Sequence, residues 1–298
     1  MNKLIERRLA EFVDRDTELE KFRALLQTRD KPILVIFGDS GMGKTSLLLR
    51  MTHECALRKL RKAEVVWNDT SPHDYMAVMR KIRDDVGTDF FAPFTDLINF
   101  YTDAGYRPKL ELTLKIQGPL SIEVGSNMKV EHATVGDISG ISIRDNMFVI
   151  QRPDLPVPES TRRQMLTKSF IEGLHEAVRS GPIVVLLDTV EKMSTDTRAW
   201  LWEQLLNCVR TEEIDGVKFV LCGRTPPPDD RDWKIFVDCS ELKPLRQEDI
   251  TEYLTKRAAS VSTETRSELA KMVYAWTKGR PTEVATAVDL YLTRIPTE

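Results

Sequence analysis

Gly38-Asp39-Ser40-Gly41-Met42-Gly43-Lys44-Thr45 satisfies the spacing G-x-x-x-x-G-K-[ST] in full, and each residue type there suits chemistry on a phosphate. Gly41 and Gly43 let the backbone curl until successive N–H groups face inward as an anion nest. A helix that begins near Lys44 adds its positive end to the same point. The Lys44 ammonium is placed to reach β- and γ-phosphates and the Thr45 hydroxyl to ligate Mg²⁺. With Ser46, these residues form the expected phosphate-binding set. A chance match somewhere in a chain this long is about a one-in-a-hundred event, given the background frequency of glycine.

Three further residues extend the chemistry. Asp188 ends the apolar run Ile183-Val184-Val185-Leu186-Leu187, so its carboxylate should point into the crevice where open α/β sheets bind ligands. There it is expected to hold Mg²⁺, directly or through water; a helix-capping aspartate is the plainer reading. Glu191, three residues on, is the candidate for polarising an attacking water, or else a surface glutamate at a helix start. Thr189 follows Asp188, so the adjacent Asp-Glu pair used by many ATPases is lacking. Arg224, after Cys222-Gly223, reads either as a sensor of γ-phosphate charge or as a surface salt bridge.

Elements of the right kind surround these residues. A helix is expected over Asp16 to Gln27, with Leu19, Phe22, Leu25 and Leu26 on one side and Asp14 or Asp16 as its cap. Ile33 to Phe37 is a continuous apolar run, as in a strand covered on both faces. Thr45 to Leu60 has helical spacing, closed by Arg58, Lys59, Arg61 and Lys62, cations that answer a helix C-terminus, with a nucleic-acid patch as the other reading. Ala63 to Trp67, Ile183 to Leu187 and Val217 to Cys222 read as further strands. Helices are expected over Asp74–Val86, Phe94–Tyr101, Glu159–Arg179 and Trp200–Arg210. Strands alternating with helices imply a parallel sheet between helical layers. Between Lys109 and Gln151 the period becomes two: Leu110, Leu112, Leu114 and Ile116 alternate with polar residues. Ile122/Val124, Ile141/Ile143 and Phe148/Ile150 repeat the habit, with turn signals at Gly118-Pro119, Gly125-Ser126 and Asp145-Asn146. After Ser240 the pattern is helical throughout: Glu248–Ala258, Ser262–Trp276 and Pro281–Arg294. The expected organisation is an N-terminal helix (1–30), a P-loop core (31–240) with a β-rich insertion (109–151), and a helical lid (241–298).

Composition excludes several classes. The 298 residues carry 43 Lys and Arg against 46 Asp and Glu, a net charge of −3, without the basic excess of a dedicated nucleic-acid or membrane-surface binder. At 41% hydrophobic the chain is too apolar for disorder. No apolar run approaches the roughly 18 residues of a membrane helix, and the N-terminus lacks a signal-peptide core. Cys55, Cys208, Cys222 and Cys239 are scattered, without metal-binding spacing, which favours reduced thiols and a cytoplasmic protein.

Taken together, the motifs resemble the STAND class of P-loop ATPases, signal-transduction relatives of AAA+ proteins. Phe12-Val13-Asp14-Arg15-Asp16-Thr17-Glu18-Leu19 is similar to that family's opening motif Phe-x-Gly-Arg-x-x-Glu-Leu, with Asp14 where glycine is usual. Leu186-Leu187-Asp188-Thr189-Val190-Glu191-Lys192 resembles its Walker B segment, and Gly223-Arg224 the close of its sensor strand. Leu242 to Asp249 resembles the start of its lid, and Gly279-Arg280-Pro281 its Gly-x-Pro motif. The resemblance covers most of the chain apart from the insertion. It implies a three-layer P-loop NTPase sandwich with a C-terminal lid, Arg15 near adenine or ribose, and Pro281 beside the nucleotide. Read from the residues alone, Arg15 could pair with Glu18 and Gly279 could cap a helix.

The expected function is a switch that binds Mg-ATP and hydrolyses it slowly, closed by ADP and opened to oligomerise by ATP, in signalling or bacterial defence. Water would attack the γ-phosphate in line, helped by Lys44, Mg²⁺ and Glu191. The missing Asn-Lys-x-Asp guanine motif favours ATP. The resemblance also implies effector and sensor domains; no solenoid repeat is visible, so the expectation is either a fragment of a larger protein or separate protein partners. Two other classes compete: a DNA-handling AAA+ ATPase of initiator or loader type, disfavoured by the acidic charge, and a nucleotide-stabilised interaction module that does not hydrolyse. For the insertion, an exposed β platform for association stands beside a decorative hairpin.

Overall fold

The computed structural model describes residues 3–68, 74–102, 158–211, 213–258 and 261–293, together with five short strands between 113 and 150. The elements run α1 (Lys3–Ala10), α2 (Asp16–Gln27), β1 (Ile33–Phe37), α3 (Lys44–Leu57), β2 (Arg61–Val66), α4 (Tyr75–Val86) and α5 (Ala92–Thr102). The short strands β3 (Thr113–Lys115), β4 (Ile122–Val124), β5 (Met128–Val130), β6 (Ile141–Arg144) and β7 (Met147–Ile150) follow. Next come α6 (Glu159–Val178), β8 (Ile183–Asp188), α7 (Thr195–Trp200), α8 (Leu206–Arg210), β9 (Val217–Gly223), α9 (Arg231–Phe236) and β10 (Val237–Glu241). The helices α10 (Gln247–Arg257), α11 (Thr263–Thr277) and α12 (Pro281–Leu292) complete the order.

The central sheet is parallel and ordered β10-β1-β9-β8-β2. The inner strands β1, β9 and β8 are largely apolar on both sides because both sides are covered. Ile33, Val35, Ile183, Val185, Leu187, Phe219 and Leu221 face a core shared with α4 to α8. Leu34, Ile36, Val184, Leu186, Val220 and Cys222 face a second core built with α2 and α3. A third, separate cluster (Leu245, Ile250, Leu254, Leu269, Val273, Val284 and Val288) holds α10, α11 and α12 together as a helical unit. The result is a three-layer P-loop NTPase fold with a helical lid.

Local signals account for several helix starts. The carboxylate of Asp74 accepts from the Ala77 N–H at 2.7 Å, and the hydroxyls of Ser194 and Ser262 accept from the Thr197 and Thr265 N–H groups. Pro281 occupies the first turn of α12, where a missing N–H costs nothing.

Several elements differ from the sequence expectation. Neither Asp14 nor Asp16 caps α2; Arg15 is the cap residue, in left-handed conformation and without a side-chain bond to the helix's own N–H groups. Arg61 and Lys62 do not close α3. They open β2, where the Arg61 guanidinium donates to the Ala177 carbonyl at 2.8 Å; only Arg58 and Lys59 remain at the helix end. The helix expected from Trp200 starts at Thr195 and contains a π-helical stretch over Leu201–Leu205. The strand β10 escaped the sequence reading, because Val237-Asp238-Cys239-Ser240-Glu241 buries only Val237 and borders β1 on one side alone.

In the insertion, β3 and β6 pair with β7, and β4 with β5, all antiparallel, as the period of two implies. The turn signals at Gly118-Pro119, Gly125-Ser126 and Asp145-Asn146, and Leu110, Leu112 and Ile116, lie outside the described residues, as does Arg294. Among the described residues no helix is long and apolar enough to cross a membrane.

Candidate functional site

The strand β1 stops at Phe37 and the chain curls at once. Gly41 and Gly43 have φ of 81° and 84°, a region that costs an L side chain energy, so the glycines give the loop its concave main chain. Gly43 is the N-terminal cap of α3, and the helix axis aims its positive end into the hollow. The Lys44 ammonium bends back over the loop and donates to the carbonyls of Gly38 at 2.7 Å and Asp39 at 2.8 Å. Burial lowers its pKa, partly opposed by the nearby carboxylates of Glu191 and Asp188. Asp39 and Ser40 at the loop tip are exposed, as are Thr45 and Ser46, while Met42 is buried in the core under α3.

Asp188 stands at the end of β8, two strands from β1, and is 2% exposed. The Thr45 hydroxyl donates to its Oδ2 at 2.8 Å, so the two expected metal-binding residues meet. Burial raises the Asp188 pKa, and the bond from Thr45 only partly offsets this. Its Oδ1 is buried without a partner. A buried carboxylate with one uncompensated oxygen beside a hydroxyl is a donor set of the hard, oxygen-only kind that suits Mg²⁺. The residues present therefore fit a Mg-nucleotide.

Thr189 is left-handed, with φ of 60°, unusual for a β-branched residue. That turn sends the following 3₁₀ segment, Val190–Lys192, back toward the end of β9. Glu191 is consequently not a solvated surface residue: its side chain is 19% exposed, and Oε2 is buried without a partner. Its Oε1 lies 3.0 Å from the Nε of Arg224. Arg224 does make an ion pair, then, but with the candidate base itself. Gly223 permits this approach, since a Cβ there would lie 2.5 Å from Val190 Cγ2.

A cavity of about 620 Å³ opens beside the loop. Its walls come from both ends of the chain: Arg7, Glu11 and Arg15 on one side, Tyr253, Arg257 and Pro281 on the other. Arg15 is 6% exposed; it pairs with Asp14 at 3.3 Å rather than with Glu18, and its Nη2 donates to the Met42 carbonyl at 3.2 Å. Asp14 adopts φ of 60°, which explains why the resembled motif carries glycine at that place and why aspartate, tolerant of the left-handed region, can replace it. Pro281 packs against the loop, 3.8 Å from the position of a Cβ on Gly43. Gly279, at φ 76°, follows the left-handed cap residue Lys278 and accepts from the Leu245 N–H at 2.8 Å.

Sequence reading missed the far wall. The Arg257 guanidinium bonds Glu11 Oε1 at 2.9 Å and pairs with Asp289, and the Arg7 Nε reaches the same Glu11 oxygen at 2.8 Å. Burial and these carboxylates push the Tyr253 hydroxyl up to about 12. The available signal was the row of charges on α1, which composition alone does not tie to the lid.

A family model described as AAA ATPase domain matches residues 11–214. No curated protein matches significantly. Among solved structures, the chain is similar to a STAND protein with a tetratricopeptide repeat sensor from Pyrococcus horikoshii (17% identity, TM-score 0.43, 91% of this chain and 28% of that one). It is similar also to Cdc6p from Pyrobaculum aerophilum (14%, TM-score 0.49, 94% and 62%) and to AMPPCP-bound DnaA from Aquifex aeolicus (13%, TM-score 0.46, 96% and 64%). The chain thus spans less than two thirds of each of these. The family model takes in the P-loop, Asp188 and Glu191 within one continuous match over most of the chain, and on that ground the chain belongs to the AAA ATPase domain family.

Proposed function

We propose that the chain binds Mg-ATP and hydrolyses it slowly as a STAND-type switch, oligomerising with ATP bound, in signalling or bacterial defence. The observation that carries this reading is the shared pocket. The loop of residues 38–45 belongs to the core, Pro281 and Thr282 belong to the lid, and the two touch at Gly41 and Gly43. A ligand in that seam contacts both units, so its phosphate count can bias their relative position.

In this reading the nest of N–H groups and Lys44 hold the phosphates, while Thr45 and Asp188 hold Mg²⁺. When bound, the ion neutralises charge on the phosphate oxygens. Glu191 accepts a proton from the attacking water at a carboxylate oxygen once Arg224 turns from it toward the γ-phosphate. The cavity beside Arg15, with apolar lining from Val13, Leu245 and Val284, is the proposed place of the adenosine moiety. Size-exclusion with light scattering in ADP, ATP and a non-hydrolysable analogue tests the switch. The expected result is a mass increase with ATP and the analogue that Lys44→Ala abolishes; an unchanged mass in all three would overturn it.

A second reading draws on the Glu191–Arg224 pair. With the candidate base engaged and no acid next to Asp188, the chain would serve as a nucleotide-stabilised interaction module without turnover. Nucleotide retained through purification, with no hydrolysis above the Lys44→Ala level, would decide for it.

A further inference from the structure

We propose that Thr282 is a positioning residue for phosphate binding, acting through the main chain of the loop rather than by touching the ligand. The proposal rests on the nucleotide reading above. The Gly41 carbonyl accepts two bonds from this one lid residue, from the Thr282 N–H at 3.2 Å and from its hydroxyl at 3.1 Å.

A trans peptide points its carbonyl and the next N–H in opposite directions. Holding the Gly41 carbonyl outward against the lid therefore turns the Met42 N–H toward the concave side, where the left-handed Gly41 and Gly43 form the nest. Arg15 does the same one peptide further: its bond to the Met42 carbonyl directs the Gly43 N–H inward. Two consecutive peptides of the loop are thus pinned from outside, one from the lid and one from the segment before α2. Thr282 also lies in the first turn of α12, where an N–H has no acceptor within its own helix; the Gly41 oxygen supplies one. The fit is close, since a Cβ on Gly41 would lie 3.2 Å from the Thr282 hydroxyl oxygen. Lid position and the aim of the phosphate donors are consequently linked, and by reciprocity phosphate binding should favour the docked lid.

The test compares full-length wild type, Thr282→Val and Thr282→Ser, with calorimetric binding of ADP and of adenosine. Hydrogen exchange of the 38–45 segment is followed in the nucleotide-free chains. Loss of one hydrogen bond should weaken ADP by about 5-fold in Thr282→Val and leave adenosine unchanged, with Thr282→Ser restoring the wild-type ratio. Exchange in the loop should quicken in Thr282→Val before any ligand is added, which a residue acting only by direct contact with phosphate would not produce. Equal weakening of adenosine and ADP, or an unaltered loop, would overturn the proposal. A wild-type chain that binds no ADP would remove the nucleotide reading and this proposal together, whereas equal ADP affinity in wild type and Thr282→Val would remove the proposal alone.

Discussion

Arg224 Nε lies 3.0 Å from Glu191 Oε1 at the mouth of the sheet, joining the residue just past β9 to the 3₁₀ turn that comes after β8. The pair gives the carboxylate a fixed direction, and in the proposed mechanism Arg224 must leave before Glu191 can take a proton. Glu191→Gln should cut single-turnover ATP hydrolysis by about 100-fold or more while ADP affinity stays within 2-fold, general-base assistance being of that size. Adding Arg224→Ala to Glu191→Gln should cost little further, because groups that act as a unit are not additive. Wild-type turnover in Glu191→Gln would sink the assignment.

Asp188 carries a prediction about pH. A carboxyl whose folded pKa is raised favours the folded chain below its unfolded pKa, and that contribution is lost as pH rises through the folded value. At neutral pH the metal-free protein therefore bears the cost of a buried charge. Asp188→Asn should raise the metal-free melting temperature at pH 7 by about 2 °C, and the gain should shrink as the buffer is acidified. The same variant should lose Mg-dependent nucleotide affinity. A melting temperature that falls at pH 7 would contradict the reasoning.

Asp14 stands in a conformation that glycine enters freely. Asp14→Gly should leave stability within about 0.5 kcal/mol of wild type, whereas Asp14→Val should cost about 1–2 kcal/mol for placing a β-branched residue at φ 60°. Chemical denaturation of both variants measures the contrast.

Gly279 admits no side chain. A Cβ there would fall 2.0 Å from the Leu245 carbonyl oxygen, and its φ of 76° is left-handed besides. Gly279→Ala should destabilise the lid by about 2–3 kcal/mol and weaken nucleotide binding through the displaced Pro281 and Thr282. Proteolysis confined to residues beyond 241, with the core intact, would report the lid's loosening directly.

These particulars show where sequence was informative. The strands β1, β8 and β9 were legible because both faces are buried and the runs are continuously apolar; β10 was not, since an edge strand with alternating Asp238 and Ser240 has no such run. The motif residues around Lys44 announced themselves because glycine enters the left-handed turns they need without the strain of an L side chain. Thr282 did not, because its function depends on a carbonyl 241 positions earlier, a relation no local pattern encodes. Arg61 and Lys62 misled for a related reason: a run of cations suits a helix end, but the helix had already stopped at Leu57.

The cavity takes one wall from Arg7 and Glu11 and the other from Arg257 and Asp289. Such closures join segments more than 200 residues apart, and contacts at that separation form slowly during refolding. The central layers should consolidate first and ligand affinity return last, making nucleotide capture a late marker in stopped-flow refolding, behind the recovery of ellipticity.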